Sequence, residues 1–594
     1  MGIVYHVLSH QAETHRVSFR IDLAASDTGV TELVLPTWAP GSYEIRESAR
    51  EVRELHARTG AHGASLPVER VAKNRWRVAA PAGTSLEVGY EVYGHDLLDD
   101  GLEADAQHLY LNAARCFPCV EGRREEPVEL VLHLPPAWRA YAELPQVGEH
   151  PVRFRATDYD ELLDTPIDCG SPLLIEFRPR GIRHRLLLCG GPGNFDAHRI
   201  EQDLSQLVEA TIAYIGESPL QSYTFFTHLS DGRRSGLEHR ASTSLIVNRL
   251  MFQPRDSYEE FLLLCAHEYF HLYNVKRIQP AVLQKPPLDR ECYTRLLWLM
   301  EGSTDYVGWM LLRHAGLEPP ARTREKLAAR VRTYHLVPGR LVKSLEEASL
   351  TSWIDLYHPY EESRNQSVSY YLKGGLVSWC LDLEILSRTE TRSSFQSVMR
   401  HLWTEYGKTG RGIPEEAAPA IFERATGLDL RELFDRLVRG TEEVDFTRFA
   451  RLAGLTCEPA PRPEAVDKPL PGYLGVEVAL ERGEVRVREV LDGTPARRAG
   501  ITPGDELVAI DGMRVTAATF HERMTRIPPG TATELTLFRR GAIQSVALTA
   551  GTPPPEKYRI EPVAEATPLE RKVYEAWMKA PWEPPRPATE NPTG

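Results

Sequence analysis

The sequence predicts a multidomain α+β protein with a β-sandwich-like domain over residues 1–170, a mainly helical domain over 171–458, a small strand-rich domain over 468–552 and a Pro-rich tail over 553–594. Three observations carry this reading. At 594 residues the chain is too long for a single core, its hydrophobic period changes from two to about 3.6 near the end of the first segment, and a Pro-rich break sets off the C-terminal part.

The first domain follows from short runs that alternate apolar and polar residues, among them Val17 to Ala24, Arg75 to Ala80, Ser85 to Tyr93 and Val128 to Leu134, divided by clusters of Gly, Pro and Asp. Alternation puts the apolar side chains on one strand face, which suits packed sheets. Helical patterns dominate from about 195 to 455, interrupted by the strand-like Tyr223 to Leu229. Glu458-Pro459-Ala460-Pro461-Arg462-Pro463 reads as a linker. Beyond it, Gly-punctuated strands recur at Tyr473 to Ala479, Glu484 to Val490, Leu507 to Ile510 and Thr533 to Phe538. In the tail, Thr567-Pro568-Leu569-Glu570 forms a capping box with Pro at the first helical position. Leu569, Val573, Ala576 and Trp577 follow at helical spacing, so a short helix docked on another domain is expected, with the last dozen residues loose.

A net charge of −13 without evident Lys and Arg clusters argues against nucleic-acid binding and leaves room for a cationic or N-terminally charged ligand. The N-terminus lacks a charged and apolar leader pattern, and no run reaches membrane-spanning length. A cytoplasmic protein with no membrane partner is the expectation. Eight scattered cysteines form no disulfide framework and are expected to sit reduced in the core. Cys116-Phe117-Pro118-Cys119 has metal-ligand spacing, but no second pair or His cluster accompanies it.

The most informative segment is Cys265-Ala266-His267-Glu268-Tyr269-Phe270-His271. Side chains at i and i+4 share a helix face, so His267 and His271 can bind one tetrahedral Zn²⁺ while Glu268 reaches water in an open fourth position. Ser257 and Glu260 suggest a capping box at the helix start, and Phe261, Leu262, Leu263, Leu264, Ala266 and Phe270 surround the motif with apolar residues. Burying two His and a Glu is costly unless something satisfies them, and a metal ion does so. The competing reading is a pair of core histidines bonded to backbone. Helical zinc peptidases commonly take their third ligand from a Glu on a following helix. Glu301, which ends the apolar run Leu296 to Met300, is the candidate. Asp305, one turn later, is either a residue that orients a ligand His or a plain surface acid.

These stretches resemble the PDZ-bearing glycyl aminopeptidases, gluzincin-type zinc metallopeptidases related to the aminopeptidase N group. The likeness rests on His267 to His271 running into Asn274-Val275-Lys276-Arg277-Ile278, on Tyr293-Thr294-Arg295-Leu296-Leu297-Trp298 leading to Glu301-Gly302-Ser303-Thr304, and on Trp38-Ala39-Pro40-Gly41-Ser42-Tyr43-Glu44-Ile45-Arg46. It implies a thermolysin-like catalytic domain, one Zn²⁺ per chain, and peptides with a free N-terminus as substrates, with Gly or Ala preferred at the cleaved position. It further implies that Ser235-Gly236-Leu237-Glu238-His239 is the motif whose Glu holds the substrate's α-amine, with Ser235 standing where a further Gly is usual. Taken alone, Glu238 would read as an ordinary loop acid. Within Ser369-Tyr370-Tyr371-Leu372-Lys373-Gly374 the likeness selects Tyr371 to face the developing oxyanion, leaving Tyr370 as a core residue.

In the last domain, Gly472-Tyr473-Leu474-Gly475-Val476 looks like the carboxylate-binding loop of a PDZ domain, followed by Gly493-Thr494-Pro495-Ala496 and Gly504-Asp505-Glu506-Leu507. Backbone N–H groups of Tyr473, Leu474, Gly475 and Val476 could capture a peptide C-terminus as the peptide adds as a strand. A docked structural module with a blocked groove is the alternative. Three functional readings remain: an aminopeptidase, a PDZ scaffold with a silent peptidase domain, and a zinc endopeptidase.

Overall fold

Period-two alternation in the first 170 residues becomes three sheets that share one core. The structure, a computed structural model, describes residues 2–60, 63–460 and 470–585. It divides into two units, the first comprising Met1–Thr294, Val307–Leu317 and Met399–Glu415, the second Arg295–Tyr306, Glu318–Val398 and Glu416–Gly594.

In the first unit an eight-stranded sheet has the order Gln146–Glu149, Val152–Ala156, Val128–Leu132, Ile3–Gln11, Arg16–Ala24, Ser85–Tyr93, Val52–Thr59, Ser65–Leu66. Strand Arg16–Ala24 buries every second residue, and its Val17, Phe19, Ile21 and Leu23 meet Leu33, Trp76 and Val78 from a four-stranded sheet in one core. Cys116 and Cys119 lie in that core, and all eight cysteines are buried free thiols. A third sheet runs Arg139–Tyr141, Ile167–Gly170, His108–Leu111, Leu102–Ala104, His95–Asp96.

The block after residue 170 opens with more sheet than its sequence suggested. Five strands, in the order Leu173–Phe177, Arg183–Cys189, Ser222–Ser230, Ser242–Asn248, Ser235–Glu238, precede the main helices. Arg183–Cys189, Ser222–Ser230 and Ser242–Asn248 pair in parallel, and the last two are buried along nearly their whole length. Strands covered on both faces lose alternation, which is why pattern reading recovered only the central one. Helix α1, Ala197–Ile215, is capped by Asp196, whose side chain accepts from the N–H groups of His198 and Arg199, and it ends at Gly216 in the left-handed region. Helix α2, Arg255–Phe270, carries the His-Glu motif. The capping box expected at Ser257 and Glu260 is not its start: the helix begins two residues earlier behind Pro254 with no side-chain cap, and Arg255 pairs with Glu259 one turn on.

A π-helical turn of the second unit, Trp298–Gly302, leads into helix α3, Ser303–His314, whose residues from Val307 on belong to the first unit, and the long helix α4 of the second unit, Tyr370–Arg388, is capped by Ser369. Glu458 and Pro459 pair with Tyr558 and Arg559, while Pro461, Arg462 and Pro463 of the predicted linker lie outside the described residues. The C-terminal domain holds a sheet in the order Val476–Glu481, Glu484–Val490, Glu506–Ile510, Ala532–Arg539, Ala542–Thr549, over a core of Leu474, Val485, Val487, Leu507, Leu535 and Leu537. Its first strand begins at Val476 rather than Tyr473, because Tyr473 turns aside to bridge Gly551. Among the described residues no helix is long and apolar enough to cross a membrane.

Helix α5, Pro568–Met578, has the predicted capping box between Thr567 and Glu570. It buries Val573, Tyr574, Trp577 and Met578, whereas Leu569 is exposed. The Trp577 indole N–H donates to the Tyr306 hydroxyl at 3.1 Å, and that hydroxyl donates to Asp382 on α4. Burial raises the Asp382 carboxyl to about 6 against the lowering effect of its hydrogen bonds from Phe395 and Tyr306. Trp577→Ala should therefore destabilise the protein by about 3–5 kcal/mol, read as a fall in the thermal unfolding midpoint.

Candidate active site

Helix α2 is buried around nearly its whole circumference, and His267, Glu268 and His271 are 9%, 4% and 1% exposed. The His267 and His271 Nε2 atoms lie 2.9 Å apart with their rings close to perpendicular. His271 Nδ1 sits 2.8 Å from the Asn274 carbonyl oxygen. That bond assigns the proton to Nδ1 and leaves the Nε2 lone pair for a cation. The carbonyl is turned back by the bend that follows the helix, where Val275 holds φ at +88° and its N–H donates to the Ile278 carbonyl at 2.9 Å. A β-branched residue in the left-handed region is strained. The strain is spent on aiming the group that orients His271.

The Ser235–Glu238 strand supplies the next group. It pairs antiparallel with Ser242–Asn248, with Gly236 opposite Leu245 and Glu238 opposite Thr243. Alternation then sets Gly236 and Glu238 on one face and sends Leu237 into the N-terminal core. A Cβ on Gly236 would stand 2.3 Å from Glu268 Oε1, so the backbone of this strand lies directly against the Glu268 carboxylate. Ser235 falls on the opposite face, so a hydroxymethyl there leaves the Gly236 and Glu238 face clear. Ligand atoms of Glu238, Glu268 and His271 all lie within 4.8 Å of one another.

Charges around Glu238 come from residues that sequence reading did not assign. Lys276 Nζ is 4.0 Å from Glu238 Oε1, 2.8 Å from Asp164 and 3.2 Å from the Pro40 carbonyl. Asp164 also accepts from His239 and from the Arg240 N–H. Burial would raise its carboxyl, but the Lys276 charge and the bonds from His239 and Lys276 outweigh this and hold it well below the usual carboxylate range. Lys276 is thus committed mainly to Asp164. Gly41, at φ +105°, brings the Trp38 to Arg46 loop onto Glu238, where a Cβ would stand 2.5 Å from Oε1. That loop is pinned by Trp38 donating to the Pro287 carbonyl and by Arg46 bonding Asp100. Asn274 and Lys276 belong to the run that follows the motif, which hinted at importance but not at a role, and Asp164 carried no sequence signal.

The second unit brings Glu301 and Tyr371 together. Glu301 is 2% exposed on the π-helical turn, a geometry common at functional sites. The backbone of that turn meets α4 at two glycines: a Cβ on Gly302 would stand 2.6 Å from the Gly374 Cα, and one on Gly374 would stand 3.1 Å from the Gly302 Cα. This approach puts Tyr371 in the field of Glu301. Burial first, then the Glu301 charge and Tyr357, push the Tyr371 phenol well above its ordinary pKa and keep it protonated. Tyr370 is fully buried and stacks on Tyr371 at 4.8 Å. In the C-terminal domain, Gly472 and Tyr473 donate their N–H groups to the Ile527 and Gly551 carbonyls, and Leu474 and Gly475 form the turn into the edge strand that opens at Val476.

Three family models match the chain: the Peptidase M61 N-terminal domain over residues 4–171, the M61 glycyl aminopeptidase over 260–377, and a PDZ domain over 472–549. The crystal structure of an aminopeptidase N family protein from Idiomarina loihiensis is 30% identical, covering 97% of this chain and 100% of that one, with a TM-score of 0.89. The chain belongs to the M61 glycyl aminopeptidase family. This family member is therefore a metallopeptidase with a PDZ domain. An M1 zinc metallopeptidase from Deinococcus radiodurans is 13% identical over 74% of this chain and 94% of its own, with a TM-score of 0.47. A carboxy-terminal-processing protease from Bartonella bacilliformis is 38% identical over 72 residues, which span 12% of this chain and 17% of that protein.

Two outcomes follow for this M61 peptidase. Gly236→Ala should displace the Glu268 carboxylate and lower kcat about 100-fold, with circular dichroism unchanged. Asp164→Asn leaves Lys276 buried without its partner and should cost about 3–5 kcal/mol at neutral pH. Because the folded-state pKa of Asp164 is depressed, its stabilisation is complete above the unfolded value of about 3.9 and is lost as pH falls through it toward the folded value. Urea unfolding of wild type and variant should therefore differ fully at neutral pH, with the difference starting to shrink only below about pH 4 and narrowing steadily as the pH falls further.

Proposed function

We propose that this protein is a zinc-dependent aminopeptidase that removes N-terminal residues, Gly or Ala in preference, from peptides, with one Zn²⁺ per chain held by His267, His271 and Glu301. The observation that carries the reading is the pair of Nε2 atoms 2.9 Å apart, with His271 locked in the ligating tautomer by the Asn274 carbonyl. Two buried imidazoles so placed fit a single tetrahedral cation. Support for Glu301 comes from the helical run that carries it: two turns on, at Gly308, a Cβ would stand 3.6 Å from the His267 backbone nitrogen.

Bound Zn²⁺ would supply Lewis acidity toward the scissile carbonyl and lower the pKa of water. Glu268, buried and adjacent to both His271 and Glu238, takes the proton from the attacking water and passes it to the leaving amine. The protonated Tyr371 phenol donates to the developing oxyanion. Glu238 receives the substrate's α-ammonium, which completes the charge that Lys276 at 4.0 Å supplies only in part. A fixed amine site beside the base restricts cleavage to the first peptide bond. The Gly41 loop packed on Glu238 limits the space beside that amine, in keeping with a small first residue. The PDZ domain recruits peptides through their C-termini: Val476–Glu481 is the edge strand of its sheet, paired with Glu484–Val490, and the domain is anchored by Arg497 to Glu362, by the Asp492 N–H to Asn365 and by Arg364 to Glu477.

The test compares glycyl and alanyl substrates with free and N-acetylated amines, together with metal content. Acetylation should abolish turnover; continued cleavage would establish an endopeptidase, and no cleavage of either form by zinc-loaded protein would leave a scaffold. Glu268→Gln should keep its zinc and lose activity about 1,000-fold or more, whereas Glu301→Ala should lose both.

A further inference from the structure

The first unit contains a second convergence of metal-ligating side chains, remote in sequence from the His-Glu motif. His108, Asp168, Cys189 and His228 each offer one ligand atom within 4.8 Å of all the others. They come as two same-face pairs from two sheets. Cys189 stands directly opposite His228 in the parallel pairing of Arg183–Cys189 with Ser222–Ser230. His108 and Asp168 are diagonal neighbours in the antiparallel pairing of His108–Leu111 with Ile167–Gly170, where His108 faces Gly170 and Asp168 faces Tyr110. Asp168 Oδ2 is 2.9 Å from His108 Nε2, 3.0 Å from His228 Nε2 and 3.6 Å from Cys189 Sγ. Ligand atoms at the corners of a tetrahedron around Zn²⁺ are separated by about 3.3–3.6 Å, given bonds of about 2.0–2.3 Å.

Burial agrees with that geometry. Asp168 is wholly buried and His228 nearly so, while the His108 side chain is 15% exposed and offers a route inward. Two imidazoles, a carboxylate and a thiol thus face the same point. Tyr110 packs its ring 4.6 Å from that of His228 and walls the site. We propose that these four residues form a second, structural divalent-metal site that staples the sheet containing His108 and Asp168 to the sheet containing Cys189 and His228. Zn²⁺ is the cation that suits one thiolate, two imidazoles and a carboxylate. Its binding releases the Cys189 proton, because the thiolate is the ligating form.

The test is metal content of the full-length protein, and reconstitution with Co²⁺. Two metal ions per chain are expected in wild type, one in His267→Ala, and one in Cys189→Ser. Cobalt at this site gives a thiolate-to-metal charge-transfer band in the near ultraviolet that the proposed catalytic ligands, which include no sulfur, cannot produce. The band should persist in His267→Ala and vanish in Cys189→Ser, with a lower thermal midpoint for the latter that added metal does not restore. Wild type with a single ion and no thiolate band, or a band that survives Cys189→Ser, would overturn the proposal and leave the cluster a hydrogen-bonded network. These wild-type readouts decide the matter even should a variant fail to fold, and they stand apart from loss of the His267 site, which would remove one ion and leave the band.

Discussion

The helix Arg255–Phe270 has no free face, and two imidazoles and a carboxylate lie within or just beyond it at almost full burial. Such a helix is stable only if those groups are satisfied by something other than water. The Asn274 carbonyl takes one nitrogen of His271, the Gly236 backbone closes over Glu268, and the remaining imidazole nitrogens face one another. The strained Val275, the bare α-carbon of Gly236 and the polar residues that follow the helix make sense as consequences of keeping that buried polar triplet in register.

Each unit solves the same problem with close backbone approach. In the first, an edge strand without a side chain at Gly236 lets Glu238 and Glu268 converge despite their like charge, with Lys276 nearby and Asp164 balancing it. In the second, Gly302 and Gly374 let a π-helical turn and α4 meet at backbone distance, which places Glu301 beside Tyr371. Any larger residue at these points separates functional groups that sit elsewhere in the sequence. The N-terminal region takes part through the Gly41 loop on Glu238 and through Asp164, so it shapes the surroundings of Glu238 as well as building a core.

Much of this was legible beforehand because it depends on local spacing. Strand Ser85–Tyr93 and strand Glu484–Val490 coincide with their alternating runs, and the Thr567 capping box appears as expected. The start of α2 was misplaced because the helix runs on through Arg255, which pairs with Glu259 one turn later, so Ser257 lies inside the first turn and not at its cap. Strands such as Arg183–Cys189 and Ser242–Asn248 were missed since burial on both faces erases period two. The His108, Asp168, Cys189 and His228 cluster left no trace in spacing, being assembled from strands paired across long separations.

What the sequence by itself determined is whatever one helical turn or one strand period can encode: His267 and His271 on a common face with Glu268 between them, the Thr567 capping box, and alternating strands such as Ser85–Tyr93 and Glu484–Val490. Tertiary structure alone decided which carbonyl orients His271, that Asp164 and Lys276 balance the charge near Glu238, and that Gly302 crosses Gly374. The reason is physical: periodicity fixes which side chains point together along one element, whereas contacts between elements are set by packing and charge burial among residues far apart in the chain.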